Sequence, residues 1–223
     1  MRFLLLCIAL FVPEAFAHGV AEGDKGFVER SHGVQLIAFA YLGAKHMVTG
    51  YDHLLFLFGV IFFLYRMKDV AVYVTLFAVG HSVTLLYGVL AGTHANAYLI
   101  DAIIGISVVY KALDNLDAFQ RWVGFRPDPR AAVALFGLAH GFGLATKLQE
   151  FQLSREGLVQ NIVAFNVGVE LGQLAALALM LVLIAYLRRS PRFHANAFAA
   201  NTALMCAGFI LTGYQLAGYY ASA

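Results

Sequence analysis

The sequence has little charge and almost no cysteine. Only 13% of its 223 residues are charged, whereas soluble domains carry about a quarter. Its 15 Lys and Arg face 13 Asp and Glu, so it lacks the positive excess that binds nucleic-acid phosphates. These absences exclude a water-soluble globule and a nucleic-acid partner. A hydrophobic fraction of 61% and a mean hydropathy of +0.75 predict instead a protein embedded in the lipid bilayer.

The first residues are typical of a secretory signal peptide. A short positive start precedes ten apolar residues and a small-x-small sequence that ends at Ala17. We predict that residues 1–17 are cleaved and that His18 becomes the mature N-terminus, with an uncleaved anchor helix as the alternative. Cys7 would leave with the signal, so Cys206 alone would remain and no intramolecular disulfide would form.

The rest of the chain predicts an all-α membrane helix bundle at residues 33–219, behind a polar extracytoplasmic N-terminus at residues 18–32. No hydrophobic segment shows the period-two alternation of barrel strands, and most approach the ~20 residues of a spanning helix. The segments are Gly33–Val48, Tyr51–Tyr65, Val70–Ala91, Ala97–Leu113, Ala131–Leu148, Gly157–Leu187 and Ala195–Tyr219.

The distribution of basic residues predicts six crossings plus one re-entrant or interfacial helix. Lys and Arg gather at Arg66/Lys68, at Lys111/Arg121/Arg126/Arg130 and at Arg188/Arg189/Arg192. Cytoplasmic loops hold the positive excess, and all three clusters face the cytoplasm only if the mature N-terminus is outside and residues 33–65 cross once. Gly33–Val48 then becomes the re-entrant or interfacial helix, with a break near Gly50. Such a break at membrane depth is tolerated where it packs in protein or lines a wet cavity, which indicates a site.

Several ionisable side chains occur inside the apolar segments. Each charge near mid-bilayer costs at least about 2.5–3.5 kcal/mol on insertion scales, so such residues indicate function. We predict that six of them converge on a metal ion: His46, Asp52, His53, His81, His140 and Glu170. Asp101, Asn166, Gln173 and Ser82 are expected as supporting polar residues. Imidazoles and carboxylates suit a divalent transition metal, Ni, Zn or Cu among them.

Spacing favours this convergence. His46 and His53 are seven residues apart, and Asn166, Glu170 and Gln173 form one polar stripe at i, i+4 and i+7. Glycines beside these residues would let neighbouring backbones approach closely. A polar network or proton relay remains the alternative to a metal site, and the carboxylates could instead orient the histidines through their second ring nitrogen.

Two further histidines lie nearer the N-terminus, where an ion would first meet the protein. His18 would combine a terminal amine with its imidazole, as copper sites sometimes do, although it could equally remain in solvent. His32 lies where the first helix begins and could pass an ion inward.

Four runs of the sequence resemble the HupE/UreJ family of bacterial membrane proteins: Gly43–Phe56, Gly80–Leu85, Phe136–Gly143 and Phe165–Gln173. The resemblance implies a multi-pass protein of the bacterial inner membrane and a nickel permease that accompanies nickel-dependent hydrogenase or urease, whose maturation proteins would be partners. The family's His-x5-Asp-His motif corresponds here to His46, Asp52 and His53.

The resemblance is closest to a less characterised branch of that family. The transporter branch has a second histidine about one helical turn before the equivalent of His140 and a carboxylate after it. Here Phe136 and Gly137 occupy the first place and Gly143 the second.

Three functions follow as hypotheses, and the leading one assigns no catalytic residue. The first is a secondary permease for a divalent cation, most simply Ni²⁺, because no Gly-x4-Gly-Lys-Ser/Thr nucleotide motif occurs in the chain. The second is an intramembrane metalloenzyme, a Zn or Cu hydrolase or oxidase-like protein, with Glu170 or Asp101 as general base. The third is a metal-storing or delivery partner of a membrane enzyme.

Overall fold

The computed structural model describes residues 26, 28, 30, 32–149 and 156–222 as an assembly of helices, with no strand among them. The helices are α1 (Leu36–Thr49), α2 (Tyr51–Ile61), α3 (Met67–Ala91), α4 (Ala97–Asn115), α5 (Ala118–Val123), α6 (Pro129–Gln149), α7 (Leu158–Arg188) and α8 (Phe193–Ser222). Four of these, α3, α6, α7 and α8, are long and apolar enough to cross a membrane. The predicted all-α membrane bundle is confirmed, while the predicted signal peptide and His18 lie outside the described residues.

Glycines set the closest contacts between helices. In the pair α3 and α6, a Cβ added to Gly141 would lie 2.0 Å from the backbone oxygen of His81. In the pair α1 and α7, a Cβ on Gly168 would lie 1.9 Å from the backbone oxygen of Ala40. Both distances are far below van der Waals contact, so only glycine allows these backbones to pack as they do.

The helices α1 and α2 together run the full length of α7. At one end the Asn161 side chain donates a hydrogen bond to the Gly33 backbone oxygen at 2.9 Å. At the other end the Arg188 guanidinium donates to the Ile61 backbone oxygen at 3.0 Å. The start of the α1–α2 segment thus contacts the start of α7, and its end contacts the end of α7. The helices α1 and α2 therefore lie parallel to α7 as one pass through the bundle.

Gly50 interrupts this pass without reversing it. Its backbone is extended (φ −75°, ψ 100°), yet its N–H donates to the His46 backbone oxygen at 2.9 Å and its own oxygen accepts from Leu54 at 3.1 Å. The ladder of helical hydrogen bonds therefore bridges the break. The segment Gly33–Val48, expected as a re-entrant or interfacial helix, is the first half of a broken helix, and α1–α2, α3, α4, α6, α7 and α8 make six passes.

The three basic clusters share one end of the bundle. Arg188 reaches the end of α2 through the backbone oxygens of Ile61 and Phe62, and α3 begins only a few residues later. Asn115, the last residue of α4, donates to the backbone oxygen of Gly59 in α2 at 2.9 Å. This common end is the one that the predicted topology places in the cytoplasm.

Candidate metal centre

The break at Gly50 brings three polar side chains to one place. His46 lies in the last turn of α1, and Asp52 and His53 lie in the first turn of α2. The His46 and His53 rings stand edge to face with their centroids 5.2 Å apart. All three side chains are buried inside the protein.

The helices α3 and α6 add two further imidazoles. The His53 ring centroid lies 4.8 Å from that of His140 and 6.0 Å from that of His81. The glycine contacts between α3 and α6 make this possible, because Gly141 follows His140 directly and packs on the His81 backbone. His53 is therefore the centre of a cluster of four histidines.

Two overlapping groups of donor atoms are close enough to hold a metal ion. One consists of His46, His53 and His81, the other of Asp52, His53 and His140, and within each group the donor atoms lie within 4.8 Å of one another. His46 is 9% exposed and the other members are at most 3% exposed. His53 belongs to both groups. We call the five residues of the two groups together the histidine cluster.

Hydrogen bonds fix the ring nitrogens that face the cluster. His53 Nδ1 lies 2.9 Å from the Asp52 carboxylate, and its buried Nε2 has no hydrogen-bond partner among the described residues. His140 Nδ1 lies 2.7 Å from the Phe136 backbone oxygen, which can only accept, so Nδ1 carries the proton. In both residues an oxygen at Nδ1 orients the ring, the arrangement seen when a carboxylate or carbonyl orients a metal-binding histidine.

His81 is held beside a polar pair on the other side of the cluster. Its ring is 1% exposed, and neither of its nitrogens makes a hydrogen bond of normal geometry within the described part of the chain. Asn166 lies next to it and accepts a hydrogen bond from Ser82 at 3.3 Å. Ser82 and Asn166, predicted as supporting polar residues, thus lie beside His81.

Two phenylalanine rings, one from α3 and one from α2, pack against the histidine cluster. Phe77 lies with its ring centroid 5.0 Å from that of His140 and 6.2 Å from that of His53. Phe56 lies 5.5 Å from His140. Both phenylalanines are fully buried, so they keep water from this side and strengthen electrostatic interactions in the cluster.

A small cavity adjoins the cluster. His46, Asp52, His53 and His140 line it together with Asp101 of α4 and Lys147 of α6, and Ile104, Gly143 and Leu144 complete its wall. With the imidazoles neutral, two carboxylates face one ammonium, so the site carries a net negative charge that attracts a cation. Sequence reasoning missed Lys147, although its spacing of seven residues from His140 places both on one helix face.

The comparison with protein families decides the assignment. A family profile described as HupE / UreJ protein matches residues 22–223, which includes every helix above. The chain belongs to the HupE/UreJ family. Searches of curated proteins and of solved structures returned no match. The resemblance deduced from the four sequence runs is confirmed, and the histidine cluster lies wholly within the matched region of this HupE/UreJ protein.

The structure does not bring Glu170 to the histidine cluster. Asn166 and Gln173 on the same stripe of α7 are buried, but Glu170 is exposed and belongs neither to the donor groups nor to the cavity. The buried face of α7 packs on α1 through Gly168 and Gly172. At ~100° per residue, Glu170 lies at the uncovered edge of that face.

Of the other predicted residues, one lines the cavity and two do not. Asp101 is buried and lines the cavity. Gln173 is 1% exposed but lines neither the cavity nor the donor groups. His32 is exposed near the start of α1, away from the cluster along the chain.

Proposed function

We propose that this HupE/UreJ protein is a permease for divalent transition-metal cations, with Ni²⁺ as its first candidate substrate. The observation that carries the proposal is the sharing of His53 between two three-donor groups. A cation that moves from one group to the other keeps His53 as a ligand throughout. Passage requires sites strong enough to replace hydration and weak enough to release the ion, and a shared ligand would let the ion enter one group as it leaves the other.

The donor set fits a borderline transition metal. Imidazole nitrogens dominate, one carboxylate contributes, and Cys206, the free cysteine of the described chain, is exposed and outside the cluster. Hard ions such as Ca²⁺ and Mg²⁺ prefer all-oxygen shells, whereas Ni²⁺, Co²⁺, Zn²⁺ and Cu²⁺ accept imidazole. The family is associated with nickel and cobalt transport, so Co²⁺ belongs in every test beside Ni²⁺.

The geometry favours transport over the metalloenzyme alternative. In that alternative the general base would be Glu170 or Asp101. Glu170 is exposed and away from the cluster, and the Asp101 carboxylate is paired with Lys147 at 2.7 Å. A metal-storing or delivery partner of a metalloenzyme would use the same ligands without flux, so measured transport separates it from a permease.

Uptake into proteoliposomes tests the proposal. Purified wild-type protein should accumulate Ni²⁺ or Co²⁺, and His140→Ala should lower the uptake by about 10-fold or more, because one of the two donor groups loses a ligand. His94→Ala is the matched control, since His94 is exposed in the segment between α3 and α4 and should transport like wild type. Stoichiometric binding without any flux would contradict a permease and support storage.

The break residue offers a second test. A Cβ on Gly50 would lie 3.0 Å from His53 Nδ1 and 3.2 Å from an Asp52 carboxylate oxygen. Its φ of −75° suits any residue, so Gly50→Ala keeps the backbone conformation but crowds the two ligands and the His46 backbone oxygen, which would lie 3.1 Å from the added Cβ. We expect Ni²⁺ affinity to fall by about 10-fold, as when an orienting partner is lost, with little change in melting temperature. An unchanged affinity in a calorimetric titration would contradict the placement of these ligands.

A further inference from the structure

The cavity contains an ion pair that stability alone does not explain. Lys147 Nζ donates to an Asp101 carboxylate oxygen at 2.7 Å, with side chains 13% and 6% exposed. Burying two charges costs desolvation that their attraction often fails to offset, so well-packed apolar residues would serve a helix contact as well or better. A buried pair in this position therefore points to a role in function.

The place of the pair connects it to the histidine cluster. Asp101 and Lys147 line the same cavity as His46, Asp52, His53 and His140. A carboxylate in that position has the chemistry of a metal ligand. An ammonium in that position has the same sign of charge as the divalent cation that the cavity would receive.

We propose that Asp101 is a further ligand of the transported cation and that Lys147 holds its place until the cation arrives. The inference rests on the proposed transport function. Without the cation, the ammonium neutralises Asp101; when a divalent cation enters, Asp101 exchanges Lys147 for it. Lys147 thereby weakens binding and, by returning to Asp101, promotes release.

The position of Lys147 on its helix makes this exchange feasible. Lys147 lies in the last turn of α6, which ends at Gln149. Backbone oxygens at a helix C-terminus are favourable partners for a cation, and a lysine can extend its flexible stem toward the end of a membrane helix. The ammonium therefore has a second position when the carboxylate turns to the metal.

A second buried pair in the same protein provides the matched control. Lys111 lies 2.5 Å from Asp114 in the same helix, with both side chains 10% exposed. This pair lines no part of the cavity. It has similar burial and the same charges, and it differs from the first pair in lacking contact with the site.

The test is a calorimetric titration with Ni²⁺ of the full-length protein in lipid nanodiscs. Lys147→Met should bind about 10-fold tighter than wild type, within the range of ordinary coupling between ligands, and should release the ion more slowly. Lys111→Met should bind like wild type. An affinity of Lys147→Met equal to or below that of wild type, in protein that melts normally, would overturn the inference.

A double variant separates ligation by Asp101 from the simple removal of a charge. If Asp101 binds the cation, Asp101→Asn with Lys147→Met binds about 10-fold more weakly than Lys147→Met alone; equal affinity of the two overturns the exchange. Should Lys147→Met fail to fold, two other variants test the inference. Asp101→Asn is expected to bind Ni²⁺ more weakly than wild type, and the charge-conserving Lys147→Arg is expected to bind it nearly as wild type does. If wild type binds Ni²⁺ and these substitutions do not change its affinity, only this inference is contradicted. If neither wild type nor any variant binds Ni²⁺ or takes it up, the transport proposal is contradicted as well.

Discussion

His53→Ala is expected to lower Ni²⁺ affinity by more than about 100-fold and to abolish uptake. His53 belongs to both donor groups, so its loss leaves two donors in each. Removal of His46 or His81 affects one group, and removal of His140 affects the other. Because even an outer-shell partner is worth about 10- to 100-fold, loss of the shared ligand should exceed the loss at any other histidine. Equilibrium dialysis with purified protein measures the effect.

The comparison among histidines decides how this result is interpreted. Each single alanine variant at His46, His81 and His140 should retain measurable binding, and the exposed His94→Ala should match wild type. A His53→Ala protein that binds no worse than His140→Ala would contradict the sharing of His53. The melting temperature of each variant must be recorded, since loss of binding counts only where the bundle remains folded.

Gly141→Ala is expected to destabilise the bundle and the site together. A Cβ at this position would lie 2.0 Å from the His81 backbone oxygen and 2.4 Å from the Thr84 hydroxyl. Relief of this contact must move α3 away from α6, and overpacking of this kind costs about 1–3 kcal/mol. Since α3 carries His81 and α6 carries His140, metal affinity should fall as well. Thermal unfolding followed by circular dichroism measures the first effect.

Gly213→Ala is the matched control for this prediction. Gly213 is also a helical glycine, in α8, but a Cβ there would meet nothing within 4 Å. Alanine at such a position should stabilise the helix by about 0.5–1 kcal/mol, because glycine loses more backbone entropy on folding. If Gly141→Ala melted no lower than Gly213→Ala, the close approach of α3 and α6 would be contradicted.

The sequence predicted the helical class because long apolar segments have few structural alternatives in a bilayer. It could not distinguish a re-entrant helix from the broken pass α1–α2, since both give one net crossing and so the same distribution of Lys and Arg. Contacts with α7 at both ends, through Gly33 and Ile61, were needed to decide. Periodicity alone does not reveal which neighbouring helix covers a face.

The same limit explains the two differences at the site. The stripe of Asn166, Glu170 and Gln173 has the spacing of one helix face, but α1 and α3 cover only part of it, and Glu170 falls at the open edge. Lys147 shares a face with His140, yet a lysine near a helix end is usually a surface residue in sequence terms. Its pairing with Asp101 of α4 depends on which helices are neighbours.

X-ray absorption at the nickel edge of the loaded protein tests the central claim, that imidazoles from separate passes share one cation. We expect a shell of nitrogen and oxygen donors with the scattering pattern of at least two imidazoles, no sulfur, and loss of that pattern in His53→Ala. A shell of water oxygens alone, a sulfur ligand, or a spectrum unchanged by His53→Ala would contradict the claim.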